Sequence, residues 1–426
     1  MNRHLYSLLF HLCLPLIGLR LAWRAWRAPA YTKRVGERFA LLPPLRPGGI
    51  WVHAVSVGES IAAAPLVREL LARYPDLPIT LTCMTPTGSE RIRALFPAAQ
   101  FAGRVQHCYL PYDLPWAAAR FLKQAQPKLA VIMETELWPN YIHQCALRGI
   151  PVALANGRLS ARSAKGYGRF AKLTAPMLAE LDLLAVQSQV EAERFIDLGA
   201  RPAAVEVTGS IKFDQQVDAE VSARASALRG QWQAQQRPVW IAASTREGED
   251  ALVIQAHRQL LASHPDALLI LVPRHLERFD TAAAQLREAG LTFVRRSSGE
   301  AVGPQVQVLL GDSMGELMFL YALADIAFVG GSLVETGGHN PLEPIALGLP
   351  VIMGPHRFNF LEITAQLLEH GALCEVADAE ALGDQVAMLL SNPARAAEMR
   401  DAGLAVLKAN QGALKRLLDG LGRLVA

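Results

Sequence analysis

Ile50-Trp51-Val52-His53-Ala54-Val55-Ser56-Val57-Gly58-Glu59-Ser60 is the stretch whose reading decides the fold. Six largely apolar, β-favouring residues run into Ser-Val-Gly-Glu-Ser, and an alanine-rich, helix-like segment follows from Ile61 to Arg73. That order is a strand, a tight turn and a helix start. Ligands of α/β sheets sit beyond the carboxyl ends of strands, so this turn is a site by position. Gly58 lets a backbone or a substrate approach closely. Glu59 falls at or near a helix N-terminus, where free N–H groups and the macrodipole favour an ionised carboxylate. A shielded carboxylate in a cleft is a candidate general base. An acid that merely suits a first helical turn has the same signature, so position alone leaves both readings open.

The chain has 426 residues, too many for one ordinary core, so two domains are expected. It is 51% hydrophobic and 19% charged, which suits α/β domains with buried parallel strands. A formal net charge of only +3 gives no support to a nucleic-acid partner. The cysteines Cys13, Cys83, Cys108, Cys145 and Cys374 are scattered without a CxxC pair and read as reduced thiols of a cytoplasmic protein. No metal-ligand cluster is apparent in the sequence, and no metal or cofactor is expected.

Leu5 to Leu19 is an apolar run interrupted by His11, Pro15 and Gly18, followed by Arg20, Arg24 and Arg27 interleaved with Trp23 and Trp26. It is shorter than the roughly 20 residues of a full span. The Trp/Arg mixture resembles an interfacial belt. The arginines follow the apolar run, which argues against a cleaved export signal and keeps the remainder in the cytoplasm. Residues 1–27 are therefore expected to be a membrane-anchor helix, spanning or monotopic, that the globular cores do not need. Lys33, Arg34 and Arg38 continue the basic character toward anionic headgroups.

Further strands recur at regular intervals. Ile79–Thr82 leads to Thr85-Pro86-Thr87-Gly88, and His107–Leu110 to Pro111-Tyr112-Asp113. Leu129–Met133 leads to the loop from Glu134 and Glu136 to Asn140, Pro151–Ala155 to Arg158, and Leu183–Val186 to Gln187-Ser188. Helix-like segments separate most of them, which predicts a doubly wound, mostly parallel sheet. No GxGxxG follows the first strand, so no dinucleotide site is expected there. Arg158, Arg162, Lys165, Arg169 and Lys172 form a basic run, either a solvated helix face or a dock for an acidic or phosphorylated acceptor.

A strand over Val205–Lys212 is expected to lead out of this domain, before an Ala/Gln-rich helix of residues 218–235. The second domain restarts at Pro238–Ala243 and runs into Ser244-Thr245-Arg246-Glu247-Gly248. A strand over Ala267–Val272 ends at Pro273-Arg274-His275, where Arg274 is placed to meet an anion. Val306–Leu310 ends at Gly311 to Glu316, and Asp312 or Ser313 is expected to cap the next helix. The densest signal is Phe328 to Pro344, in which Gly330-Gly331 and Gly337-Gly338 precede Asn340-Pro341-Leu342-Glu343. Asn340 suits an N-cap, Pro341 the first helical position and Glu343 the third. Glycines before a capped helix start predict a phosphate cradle, with Glu343 available to ribose hydroxyls.

The chain resembles, nearly end to end, the 3-deoxy-D-manno-octulosonic acid (Kdo) transferases of Gram-negative bacteria, which are GT-B glycosyltransferases. The carriers are Ala28–Tyr31, Arg34–Arg38, His53–Glu59, Met84–Gly88, Met133–Asn140, Arg158–Ser163, Pro273–His275, Gly311–Leu317 and Gly330–Glu343. The resemblance implies two Rossmann-like doubly wound α/β domains facing a central cleft, with an N-terminal membrane-anchor helix. The expected limits are 1–27 for the anchor, 28–212 for the acceptor domain and 213–426 for the donor domain, the last helix packing back on the first domain. It implies Glu59 as proton acceptor. It implies CMP contacts from Pro273 and Arg274, from Met314, Gly315 and Glu316, and from Asn340, Pro341, Leu342 and Glu343. The implied reaction is metal-independent, inverting transfer of Kdo from CMP-Kdo to a lipid A precursor (lipid IVA) at the cytoplasmic face of the inner membrane. A soluble sugar-nucleotide epimerase of the same two-domain fold is the alternative.

Overall fold

The computed structural model describes residues 1–101, 103–215, 217–232 and 237–425. The chain divides into two units, Met1–Asp214 with Gln411–Ala426, and Gln215–Asn410.

The first unit is built on β1 (Ile50–His53), β2 (Ile79–Cys83), β3 (Val105–Tyr109), β4 (Leu129–Met133), β5 (Val152–Gly157), β6 (Leu183–Val186) and β7 (Val205–Val207). Their spatial order is β3-β2-β1-β4-β5-β6-β7, and every pairing is parallel. Alternate residues of β1 serve opposite faces, as the strand period requires. Ile50 and Val52 pack with Leu66, Val67 and Leu70 of the helix Val57–Arg73 and with Leu417 and Leu421 of the last helix, Ala413–Gly422. Trp51 faces the other way, 5.0 Å from the Phe121 ring, and donates its indole N–H to Thr82. The last helix is tied to this unit by Asp214, whose carboxylate accepts the N–H groups of Gly412 and Leu414.

The second unit repeats the plan with β8 (Val239–Thr245), β9 (Leu268–Pro273), β10 (Phe293–Arg295), β11 (Val308–Leu310), β12 (Ile326–Val329), β13 (Val351–Met353) and β14 (Leu373–Glu375). The order is β10-β11-β9-β8-β12-β13-β14, again all parallel. In the first unit the chain winds outward from β1 to β3, returns to the other side of β1 at β4 and winds outward again; in the second it steps from β8 to β9, places β10 at the edge with β11 between them, and returns to the other side of β8 at β12. The reversal leaves a crevice at the carboxyl ends of β1 and β4, and another at those of β8 and β12.

Several elements differ from expectation. The helix after β1 starts at Val57 rather than Ile61, because Ser56 caps it. The strand expected over Val205–Lys212 ends at Val207; Gly209 turns at φ 85° and Ile211–Phe213 is a short 3-10 turn. The helix expected over 218–235 spans Ala219–Gln231, and positions 233–235 of that expectation lie outside the described residues. The edge strands β10 and β14 are three residues each and were not anticipated.

The N-terminus is two helices, Arg3–Leu12 and Leu14–Arg27, bent by 53° where Pro15 removes a backbone donor. Among the described residues no single helix is long and apolar enough to cross a membrane; this bent pair passes that test together. Leu5, Leu8, Leu9, Leu12, Leu16, Leu19, Trp23 and Trp26 are exposed. The segment is not independent of the core, contrary to the expectation. Ser7 donates to the buried Asn140 at 2.9 Å, and Tyr6 hydrogen-bonds the buried Asp113.

Candidate active site

Ser56 is the N-cap and Glu59 the third residue of its helix, so the two form a capping box. Glu59 folds back so that one carboxylate oxygen accepts the Val55 N–H at 2.9 Å and the other accepts the Ser56 hydroxyl at 3.1 Å. These bonds favour the ionised form. Burial opposes them and dominates, and the charges of Glu134 and Glu136 add to it, holding the Glu59 carboxyl at about 7. Gly58 has an ordinary φ, and a Cβ there would meet only Ser56 Oγ at 3.9 Å, so the space beside it is open.

Glu134 and Glu136 stand on the loop after β4, the strand next to β1. Glu134 takes a left-handed φ of 55°, which a non-glycine residue adopts at a cost. Lys212 lies 3.7 Å from its carboxylate. Burial and the Glu134 charge both raise the Glu136 carboxyl. The crevice of the first unit therefore carries three carboxylates within electrostatic reach, and two of them are pushed toward holding a proton. Such an arrangement suits proton removal near neutral pH. Of the basic run, Arg162 and Lys165 lie on the helix Ala161–Gly168 and Lys172 on the helix Ala171–Ala179, while Arg158 precedes them and Arg169 stands between them.

The crevice of the second unit is organised by Glu249, which the sequence reading passed over. This fully buried carboxylate accepts N–H groups from Ser332 and Leu333, each at 2.9 Å, as well as from Gly331 and from Arg246. Its only local signal was an acid directly after Gly248 at a helix start. The paired glycines are fixed by the fold. A Cβ on Gly330 would strike Ser244 O and Thr245 at 2.8 Å, and Gly331, Gly337 and Gly338 all have positive φ. The amides of Gly338 and His339 bond to the carbonyls of Gly331 and Gly330. The N–H groups of Gly330, Gly331 and Gly338 therefore have internal partners.

Positive charge in this crevice comes from arginine side chains. Burial lowers the His339 imidazole to about 3, with the Arg274, Arg246 and His275 charges acting the same way. Burial raises Glu343, while an Asn340 hydrogen bond and the Arg274 charge oppose it. Arg274, Asn340 and Glu343 are thus brought together. Asn340 accepts the Leu342 N–H at 3.1 Å, but the five-residue helix runs Leu342–Ala346, so Pro341 rather than Asn340 stands at the N-cap position and Glu343 is the second helical residue, not the third. Pro273, Pro341 and Leu342 are buried and shape the backbone around them. Met314, Gly315 and Glu316 form the loop after β11, where Met314 is exposed and Gly315 turns at φ 86°. Burial pushes the Glu316 carboxyl up, but bonds from Ser313 and Arg296 and nearby arginine charge outweigh it and the net direction is down. Neither Asp312 nor Ser313 caps the following helix, which begins at Leu317. Asp312 accepts from Ser297, and Ser313 donates to Glu316.

Two parallel doubly wound sheets, each with charged groups at its reversal point, give a two-domain α/β architecture of the GT-B kind. Residues 33–215 match the family model for 3-deoxy-D-manno-octulosonic-acid transferase (kdotransferase), and residues 244–405 that for glycosyl transferases group 1. The chain is 48% identical over 425 residues to the 3-deoxy-D-manno-octulosonic acid transferase of Haemophilus influenzae, covering 98% of both chains. It is 43% identical over 436 residues to that of Bordetella pertussis, covering 99% of both. The protein belongs to the 3-deoxy-D-manno-octulosonic acid transferase family and is a glycosyltransferase. The UDP-GlcNAc 2-epimerase of Neisseria meningitidis has a similar fold, with a TM-score of 0.58 over 88% of this chain and 100% of that one. At 14% identity that likeness shows the fold alone, and the epimerase alternative has no further support.

Proposed function

We propose that the protein moves Kdo from CMP-Kdo to a hydroxyl of a lipid A precursor (lipid IVA), with inversion at the anomeric carbon and release of CMP. The observation that carries this reading is Glu59: a partly buried carboxylate held at about 7, at the reversal point of a Kdo transferase family chain. Glu59 takes the proton of the acceptor's primary hydroxyl as that oxygen forms its bond to the anomeric carbon. The bond from that carbon to the CMP phosphate breaks on the opposite face, and CMP leaves with the electron pair. One base suffices for a single displacement, which is why inversion is expected. Arg274 and the potential around Asn340 stabilise the charge that develops on the leaving phosphate. Pro273, Met314 to Glu316 and Pro341 to Glu343 complete the donor contacts, Glu343 accepting from ribose hydroxyls. The acceptor is handled by the first unit and the donor by the second.

The bent helix pair Arg3–Leu12 and Leu14–Arg27 is proposed as the anchor to the cytoplasmic face of the inner membrane. Its exposed leucines and tryptophans support that role, as do the arginines interleaved with them. The test is incubation with CMP-Kdo, with and without lipid acceptor, followed by NMR of the new linkage. CMP release that depends on acceptor, with an inverted linkage, is the expected result. Conversion of the sugar nucleotide without acceptor contradicts it.

A further inference from the structure

Beside Glu136 the first unit contains a cavity of about 310 Å³ that proton transfer at Glu59 leaves unused. Tyr6, Leu137, Trp138, Tyr167, Leu173 and Met177 line it. The polar groups of two walls are satisfied among themselves: Tyr167 donates to the Thr135 carbonyl at 3.2 Å, and Thr174 to the Tyr167 carbonyl at 3.0 Å. What remains is largely apolar surface, together with the Trp138 indole N–H, which is buried and has no partner among the described residues. A cavity of this kind selects an apolar group with few polar atoms.

Three features specify the occupant. Tyr6 belongs to the helix Arg3–Leu12, whose Leu5, Leu8, Leu9 and Leu12 are exposed, so the cavity adjoins an apolar surface suited to a bilayer. The helices that supply Tyr167 and Leu173 also carry the exposed Arg162, Lys165 and Lys172, which favour an anionic headgroup. Glu136 lies on the cavity and on the loop after β4, the strand paired with β1, so a molecule seated here lies beside the crevice that carries Glu59. We propose that the cavity receives one acyl chain of an anionic, acylated acceptor and so sets how the reactive hydroxyl meets Glu59. The proposal rests on the transferase reading above and deepens it by assigning an acyl subsite.

The test uses the full-length protein and a series of acceptors that share one headgroup and differ in acyl-chain length. Leu173→Trp fills the cavity and Met177→Ala enlarges it. Leu173→Trp is expected to lower kcat/KM for long-chain acceptors by roughly tenfold or more, the scale of an apolar pocket's discrimination, while short-chain acceptors stay near wild type. Met177→Ala is expected to move the preference toward longer chains. Opposite shifts from two variants are a result that general damage to the fold does not produce. An unchanged chain-length preference in both variants overturns the subsite. If the wild-type protein transfers sugar to no acceptor, the transferase reading itself fails, and the cavity is judged by calorimetric titration with an acylated glucosamine phosphate. Saturable binding weakened by Leu173→Trp then sustains the subsite, and its absence, or binding that Leu173→Trp leaves unweakened, overturns it.

Discussion

At the scale of single residues, Glu59 shows two environments in competition. The Val55 N–H and the Ser56 hydroxyl stabilise its charge, while burial and two neighbouring acids disfavour it, and the second set wins. The folded protein therefore holds this proton more tightly than the unfolded chain does. That contribution to stability is present below the ordinary value of 4.5 and is lost as pH rises through about 7. Glu59→Gln should gain stability relative to wild type as pH rises across that interval, a trend readable in denaturant midpoints. A constant difference between the two proteins from pH 5 to pH 8 contradicts the perturbed carboxyl. In the second unit, Arg274→Ala should weaken donor use by on the order of 2–3 kcal/mol, the scale of a charged hydrogen bond plus lost field. The measurement is kcat/KM for CMP-Kdo at saturating acceptor, and an unaltered value removes Arg274 from the donor site.

At the scale of elements, two features follow from partners remote in sequence, and for that reason the sequence did not disclose them. The glycine loop after β12 is held by a carboxylate 82 positions away, Glu249, so its conformation is set by the start of a different helix. Glu249→Gln replaces an acceptor of four N–H groups with an amide that turns one end into a donor. It should cost about 2–3 kcal/mol of stability and raise KM for the donor more than it lowers kcat. Wild-type stability in that variant contradicts the anchoring role. The N-terminal helix pair reads from sequence as an appendage, yet Tyr6 and Ser7 satisfy the buried Asp113 and Asn140. Deleting residues 1–27 should therefore do two things at once. It should move the protein from membrane to soluble fractions, and it should destabilise the first unit by about 1–3 kcal/mol, because Asn140 Oδ1 loses Ser7 while Asp113 keeps the N–H groups of Asn140 and Tyr141. Firm membrane association of the truncated protein contradicts the anchor. Strand ends and glycine pairs were legible because their signals are local. The three-residue edge strands β10 and β14 were not, since their pairing comes from neighbours rather than from a periodic run of their own.

At the scale of the whole molecule, both units reverse direction across a central strand. The reversal points fall at β1 and β4 and at β8 and β12, and the turns and helix starts following those strands carry Glu59, Glu134, Glu249 and Glu343. The alternation of strands and helices made the α/β class legible from sequence, and Glu59 was legible as a strand-end acid. Its perturbed carboxyl was not, because burial and the left-handed turn at Glu134 arise only after folding. Charge in the donor unit is supplied by Arg274 and Arg246 near His339, so transfer should persist after exhaustive chelation with EDTA. A strict requirement for added divalent cation contradicts that account. The central claim is that Glu59 is the base of Kdo transfer, and the pH dependence of acceptor-dependent CMP release in wild type and Glu59→Gln tests it most directly. The account predicts an acid limb near pH 7 in wild type, and in Glu59→Gln a turnover lower by roughly a hundredfold or more with that limb gone. Wild-type turnover in Glu59→Gln, with the limb intact, contradicts it.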